Sequence, residues 1–477
     1  RGGGRAALPL HEEWFGATSG RITNTTGRFM THSLETLSHA LLDAAKAAGA
    51  DAADVLAVQG TSVAVDVRGG TLEQAERSEG VEIGLRVLMG QRQASVSASD
   101  IRAETMAEMA ERAVAMAREA PDDPFIGLAD PAELSRIRDA AGLEMEDVSI
   151  EPAPDALQDD AARAEAAALA VEGVTQVQAA SAGYSAREVW MAATNGFSGG
   201  YQRTGRSLSC VAIAGSGTGM ERDYDGDSRV FQADLRDADE IGATAGQRAV
   251  ERLGARKPPT GAYPVLFDER ISSSLIGHLL AATNGTAVAR GASWLRDAAG
   301  TQVLPKGLSV IEDPHRKRAT GSRPFDAEGL RTQTRGIVQD GTLIGWTLDL
   351  ATARKLGLSS TANAARGTGG APSPSNWNIA LTQGDKGRED LMAEMGTGLW
   401  VTSMIGATIN PNTGDYSRGA SGIWVENGVP QYPVNECTIA GNLRQMLRTI
   451  VPANDARPYL SRVVPSLLVE GLTLAGS

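Results

Sequence analysis

The stretch from Asn410 to Ile450, NPNTGDYSRGASGIWVENGVPQYPVNECTIAGNLRQMLRTI, constrains the fold most, because turn chemistry, strand alternation and a helix start follow one another within it. Pro411, Asn412 and Gly414 supply a turn. Ile423 and Val425 open a short apolar run, and Asn427-Gly428 is the dipeptide that most readily takes the two positive φ angles of a two-residue hairpin. The return strand is predicted over Val429 to Val434. Thr438 is then the expected cap of a helix whose apolar positions, Leu443, Met446, Leu447 and Ile450, recur on one face. A hairpin packed under a helix accounts for this periodicity.

A chain of 477 residues is too long for one ordinary core and implies two or three domains. Apolar residues make up 42% and aromatics only 4%, so the cores must be filled by Ala, Val, Leu, Ile and Met. The balance of 45 basic against 58 acidic residues leaves a net charge of −13, which repels a phosphate backbone and argues against nucleic-acid binding. His315-Arg316-Lys317-Arg318 is the one basic run, and it reads as a solvated loop. Cys210 and Cys437 stand far apart, with no Cys-x-x-Cys pair, so neither a disulfide framework nor a local zinc knuckle is expected. No run of about 18 apolar residues exists, so no membrane span is expected, and the predicted compartment is the cytoplasm.

Residues 1–29 lack sustained periodicity and read as a disordered leader; its His11-Glu12 has no second His one turn on. Residues 30–125 read as an N-terminal α/β domain. A helix over Leu34 to Ala48 (Leu34, Leu37, Leu41 and Ala45 inward) precedes strands at Val55 to Val58, Ser62 to Arg68, Val81 to Val87 and Gln93 to Ala98. A helix over Ile101 to Glu119 follows, with Met106, Met109, Ala113 and Met116 as its core stripe. Residues 126–256 read as a middle domain of helices and antiparallel meander. Its strands are predicted at Val174 to Ala180, Glu188 to Ala193, Tyr201 to Gly205 and Ser207 to Ala214, with helices near Ala156 to Val171 and Asp237 to Leu253. Gly215 to Gly219 lacks the Lys-Ser/Thr ending of a phosphate loop, and Asp223, Asp225 and Asp227 lack the spacing of an EF-hand. The remainder, 257–477, is a large C-terminal domain rich in antiparallel β, opened by a strand over Tyr263 to Phe267 and a helix over Glu269 to Ala282. The expected class is α+β.

The order of residues says more than their periodicity. The pattern NPxTGDYSRGASGxWVENGxxxYPVxExTIAGNLxxML resembles the carboxyl-terminal signature of the TldD/PmbA family, in particular its PmbA (TldE) branch. Gly321-Ser322-Arg323-Pro324-Phe325-Asp326, Asp340-Gly341, Ala353-Arg354-Lys355-Leu356-Gly357 and Thr361-x-Asn363-Ala364-x-Arg366 match it too, so the resemblance runs from about residue 34 to the end. It implies a cytoplasmic bacterial protein that pairs with a TldD-like subunit in a zinc-dependent protease acting on peptides, with roles in peptide maturation and small-protein turnover.

In TldD subunits the helix matching Glu269 to Ala282 carries His-Glu-x-x-x-His, two imidazoles for zinc and a carboxylate base. Five residues advance an ideal helix by about 500°, so that motif needs a distorted helix, and Gly277 suits one. This chain keeps His278, but the earlier positions are Ser273 and Ser274. The cysteine ligand of such a site falls near Trp424 or Val425, neither of which binds zinc, and Cys437 reads as a buried apolar residue. Ser274 and His278 as nucleophile and base lack an orienting carboxylate and an oxyanion hole. The expectation is therefore a chain without catalytic or metal residues or cofactor of its own, with zinc in the partner. His278, Arg354, Asn363, Arg366, Asp415 and Arg418 are the candidates for a substrate groove or partner interface, where an unfolded peptide could add as an extended strand. The alternatives are a non-enzymatic binding or regulatory protein of the gyrase-modulator type and a self-sufficient peptidase.

Overall fold

A computed structural model of the protein describes residues 33–476; the expected leader and its His11-Glu12 pair lie outside the described residues. Helix α1 (Leu34–Ala47) starts where Ser33 accepts the Thr36 N–H, and it buries Leu34, Leu37, Leu41 and Ala45 as its periodicity predicts. Each leucine so buried contributes about 2 kcal/mol of transfer free energy. Strands β1 (Ala52–Arg68), β2 (Thr71–Met89) and β3 (Arg92–Ala98) follow, and α2 (Ala103–Glu119) packs beside α1. The Met stripe of α2 holds at Met106, Met109 and Ala113, but Met116 is 47% exposed. Ala117 takes the inner place, because the 3.6-residue period carries the face on to the fourth position.

Helix α3 (Pro154–Leu169), strands β4 (Val174–Ala193), β5 (Ser198–Ala214) and β6 (Glu221–Arg229), and helix α4 (Ala238–Glu251) complete this half. One antiparallel sheet runs β3-β2-β1-β4-β5-β6, continuous through both N-terminal regions. All four helices cover one face: α1 and α2 at Val55, Ala57, Leu85 and Ala192, and α3 and α4 at Val63, Val65, Ala180 and Cys210. β1, β4 and β5 each join two segments predicted as separate strands. The apparent breaks hold or adjoin glycines that stay extended, Gly60 opposite Arg187 and Gly205 opposite Ser185, and a Cβ on Gly60 would stand 2.7 Å from the Ala186 carbonyl. A glycine there permits close strand approach; it does not turn the chain.

Asp223, Asp225 and Asp227 alternate along β6 onto its buried side, where arginines meet them. Asp225 takes Arg248 at 2.7 Å and Arg236 at 2.8 Å, and Asp227 takes Arg229 at 2.8 Å. They are structural pairs.

Strand β7 (Gly261–Phe267) and helix α5 (Glu269–Ala282) open the C-terminal half. β7 runs parallel to Gly398–Ile409 and antiparallel to Leu467–Ala475. The strands Asp415–Glu426 and Val429–Asn442 continue from the former, and the last of them pairs back to Leu467–Ala475, closing a five-stranded ring. α5 packs on the ring through Leu275, Ile276 and Leu279 within the largest core. The hairpin turn falls at Asn427-Gly428 with φ of 51° and 76°, as predicted. The return strand, however, runs through Thr438 to Asn442. Asn442, not Thr438, caps the helix Leu443–Arg448 by accepting the Arg444 N–H at 3.1 Å. The observed class is the expected α+β.

Candidate functional site

The site follows from α5. Asp268 caps it by accepting the Arg270 N–H, and its apolar stripe at Leu275 and Leu279 faces the ring. That rotation leaves Ser273, Ser274, Gly277 and His278 half-buried. The Ser274 Oγ and the His278 Nε2 are each buried without a hydrogen-bond partner. The His278 ring meets the Tyr416 ring edge to face, with centroids 5.8 Å apart. Burial, with the positive Arg418 nearby, pushes the imidazole down to about 4, so it is neutral at neutral pH. Tyr416 donates to the Met404 sulfur at 3.2 Å, and burial pushes its phenol up to about 12. Arg418 donates from Nε to the Gly406 carbonyl at 2.6 Å, at a bulge where Gly406 has φ +69°. The neutral imidazole, whose Nε2 has no partner, and the half-buried Arg418 guanidinium can hydrogen-bond a peptide, while the Tyr416 ring, 2% exposed, is a core residue that backs the imidazole.

These residues do not fit a zinc ion. Hydroxyls stand at 273 and 274, and His278 is the one imidazole. Trp424 and Val425 are core residues, the former donating to Glu426 Oε1 at 3.0 Å. Cys437 lies opposite Ala420 and donates to its carbonyl at 3.2 Å; burial pushes the thiol up to about 11, which keeps it protonated. Among the described residues, no three His, Cys, Asp or Glu side chains gather as a metal site.

Of the six groove candidates, His278 and Arg418 come together, and Tyr416, which the sequence reading passed over, joins them. Its signal was its place two residues before Arg418 on one strand, which puts both on one face. Asp415 lies at the mouth of its hairpin, exposed, accepting from Thr413 Oγ1 at 2.6 Å and Asn442 Nδ2 at 3.0 Å. Those bonds, Thr413 first, hold its carboxyl below the usual range.

Arg354, Asn363 and Arg366 lie elsewhere and tie segments together. Arg354 donates to the carbonyls of Phe125 at 3.1 Å and Leu128 at 2.9 Å. Asn363 donates to Glu312 at 3.1 Å and to the Ser375 carbonyl at 2.8 Å. Arg366 pairs with Asp54, whose other oxygen takes Arg86 Nε at 2.8 Å, all three buried where the C-terminal half meets the first sheet. Beside them, burial and then Asp326 and Asp349 push the Glu328 carboxyl well up, and burial pushes Asp326 up to about 7. The basic run is spent internally: Lys317 and Arg318 pair with Glu144 at 2.7 and 2.8 Å, and Arg316 donates to the Leu460 carbonyl at 3.0 Å.

Three domain families match in tandem: PmbA/TldA metallopeptidase domain 1 over residues 53–117, the central domain over 146–253 and the C-terminal domain over 260–476. The chain is 38% identical to Metalloprotease PmbA of Escherichia coli O157:H7, over 89% of this chain and 92% of that protein. It is 35% identical to a Metalloprotease PmbA homolog of Haemophilus influenzae, over 93% and 96%. Among solved structures, a Bacteroides thetaiotaomicron protein whose name ties it to modulation of DNA gyrase superposes with a TM-score of 0.86 at 26% identity, over 94% of this chain and all of that one. TldE of Thermococcus kodakarensis shares the fold at a TM-score of 0.79 and 19% identity, over 92% and 99%.

Proposed function

The chain belongs to the PmbA/TldD metallopeptidase family, on its PmbA/TldE branch, and from that premise we propose that it is the non-catalytic subunit of a heterodimeric, zinc-dependent protease acting on unfolded peptides. The observation that carries the reading is the donor set of α5. Ser273 and Ser274 stand where a zinc site needs an imidazole and a carboxylate base, and one imidazole cannot hold a catalytic ion. A TldD-like partner supplies the zinc and the chemistry. This chain closes the substrate chamber, and His278, whose Nε2 lacks a partner, and the half-buried Arg418 face an extended peptide, with the buried Tyr416 ring behind the imidazole. The pair works in the cytoplasm, consistent with two unpaired cysteines, in peptide maturation and small-protein turnover. No described helix is long and apolar enough to cross a membrane.

The test is zinc content by elemental mass spectrometry on the chain purified alone, without a metal-binding tag, and peptidase activity with and without a TldD-like subunit. Near-zero zinc, and activity in the pair only, are expected. About one zinc per chain, lost in His278→Ala, sinks the reading. A second reading, a binding or regulatory protein, draws on the gyrase-linked name of the Bacteroides relative; the net charge of −13 sets direct DNA contact against it. Co-purification with gyrase and without a TldD-like chain would favour that reading.

A further inference from the structure

Strand β2 runs on past its outer neighbour. β3 opposes only Ile83 to Met89, so the stretch from Thr71 to Glu82 has β1 on one side and, among the described residues, no strand on the other. Residues 71–80 are also exposed on both faces of the sheet. In an antiparallel strand alternate residues direct both backbone groups to the same side, so about six pairs of N–H and C=O groups point outward along this length. Among the described residues, none hydrogen-bonds the backbone of 72–82 from that side. The edge is nonetheless held in shape. The Glu165 carboxylate of α3, 2% exposed, accepts the N–H groups of Gly69 and Gly70 at 2.6 and 2.8 Å and pins the hairpin turn. Behind the edge, β1 is paired to β4 from Asp54 to Val67, and Arg77 ties β2 to Glu151, just before α3. A peptide that docks along β2 therefore loses its own freedom and little of the protein's.

The side chains along this edge have one dominant sign. Glu73, Glu76, Glu79 and Glu82 stand against Arg77 alone, a net charge of −3. Neighbouring charges leave that balance unchanged. Arg68, 3.6 Å from Glu73, is offset by Glu151 on Arg77, and Arg187, two strands in, is offset by Asp66 of β1. Charge on an edge strand is a common guard against aggregation, as are prolines, bulges and short length. This edge has no proline, and its one register shift, between Asp66 and Val67, lies at the turn end. A charge of one sign repels a second copy of the same edge and admits a strand of the opposite sign.

We propose that the edge from Thr71 to Glu82 captures a basic, unfolded peptide as an added strand, in the opposite half of the molecule from His278. The choice of occupant rests on the peptide-protease reading above and narrows it to substrates that carry lysine or arginine. Main-chain hydrogen bonds supply the affinity and are indifferent to sequence, and the row of glutamates selects by charge.

The experiment is fluorescence anisotropy on the full chain with a capped peptide of about ten residues, labelled with a neutral dye, that carries lysine at every third position, in step with the glutamates, and threonine or valine between. Saturable binding with a Kd of about 0.1 mM is expected, weakening as salt rises. The same peptide with glutamate for lysine should not bind, nor should a copy N-methylated at two adjacent central residues, which blocks both of its edges. Glu73→Gln, Glu76→Gln, Glu79→Gln and Glu82→Gln together weaken binding about tenfold and remove most of its salt dependence. All four side chains are exposed, and circular dichroism checks that the variant folds. Hydrogen exchange on the complex should slow over residues 71–82. The proposal fails if the lysine peptide does not saturate, if the N-methylated copy binds equally, if the fourfold variant binds like wild type, or if protection falls around His278 instead. It also fails if a TldD-like subunit protects residues 71–82 and expels the peptide, which makes the edge a subunit contact. Peptide binding at this edge with no peptidase activity in the pair overturns the protease reading and leaves the edge assignment standing.

Discussion

Replacing Asp54 by Asn tests the junction between the first sheet and the C-terminal half. The Asp54 side chain is 5% exposed, and its partners Arg86 and Arg366 are 4% and 1% exposed. The substitution keeps the volume and removes the charge, leaving two buried guanidinium groups without the carboxylate they both contact. Breaking a buried pair by removing one partner costs about 3–5 kcal/mol. The cost stays in that range instead of doubling, because Glu328 and Asp349 still act on Arg86 from nearby. The assay is urea unfolding followed by circular dichroism, with hydrogen exchange over residues 364–370 as the local readout. The penalty is also pH-dependent. Burial pushes the Asp54 carboxyl up, but Arg366 and Arg86 together outweigh burial and hold it below its ordinary value. A carboxyl lowered in the folded state takes up protons more readily when unfolded, so its contribution is whole above about pH 4 and is lost as pH falls through the lowered value. The difference between wild type and Asp54→Asn should therefore narrow in acid. A loss under about 1 kcal/mol at neutral pH, within the reach of surface substitutions, would refute the account.

Asp326 should behave in the opposite sense. Burial raises its carboxyl to about 7, so its contribution is whole below about pH 4 and is lost as pH rises through about 7. Urea midpoints of wild type should fall between about pH 4 and pH 7 and level off above, and Asp326→Asn should flatten that slope; parallel profiles would remove Asp326 as the cause. At the helix Leu443–Arg448, Asn442→Ala should cost about 1 kcal/mol, because it deletes the cap, whereas Thr438→Ala should stay within about 0.5 kcal/mol. Equal losses from the two, measured by thermal unfolding, would mean that the cap is not what Asn442 contributes.

Much of the local structure was legible because it is written in short periods. Leu34, Leu37, Leu41 and Ala45 mark a helix face, and Asn427-Gly428 marks a turn, each from neighbours a few residues apart. The strand ends were harder. Gly60, Gly183 and Gly205 look like breaks until their cross-strand neighbours are known, and those neighbours are up to 127 residues away, as for Gly60 and Arg187. Thr438 shows the same dependence on distant neighbours: it pairs with Gly419 and Ala475, which extends the strand past a residue that would otherwise cap. At the candidate site, the sequence placed His278 on a helix but could not bring Tyr416 and Arg418 to it. Nor could it separate these from Arg366, whose counterion Asp54 lies at the other end of the chain. Residues matching one motif are grouped by sequence, whereas a site is grouped by space.

The closed ring of strands also sets an order of events during synthesis. β7 emerges near residue 261, but one of its two neighbours, Leu467–Ala475, emerges some 200 residues later and must also meet the strand Val429–Asn442. Until then β7 has an open edge and α5 has no finished surface to lie on. The antiparallel sheet β3-β2-β1-β4-β5-β6 needs nothing beyond Arg229 to complete its hydrogen bonds. A nascent chain can thus hold a formed first half while its C-terminal half waits, with apolar strands exposed, for the last nine-residue strand to leave the ribosome. That interval, rather than any feature of the finished molecule, is when a chaperone has most to shield.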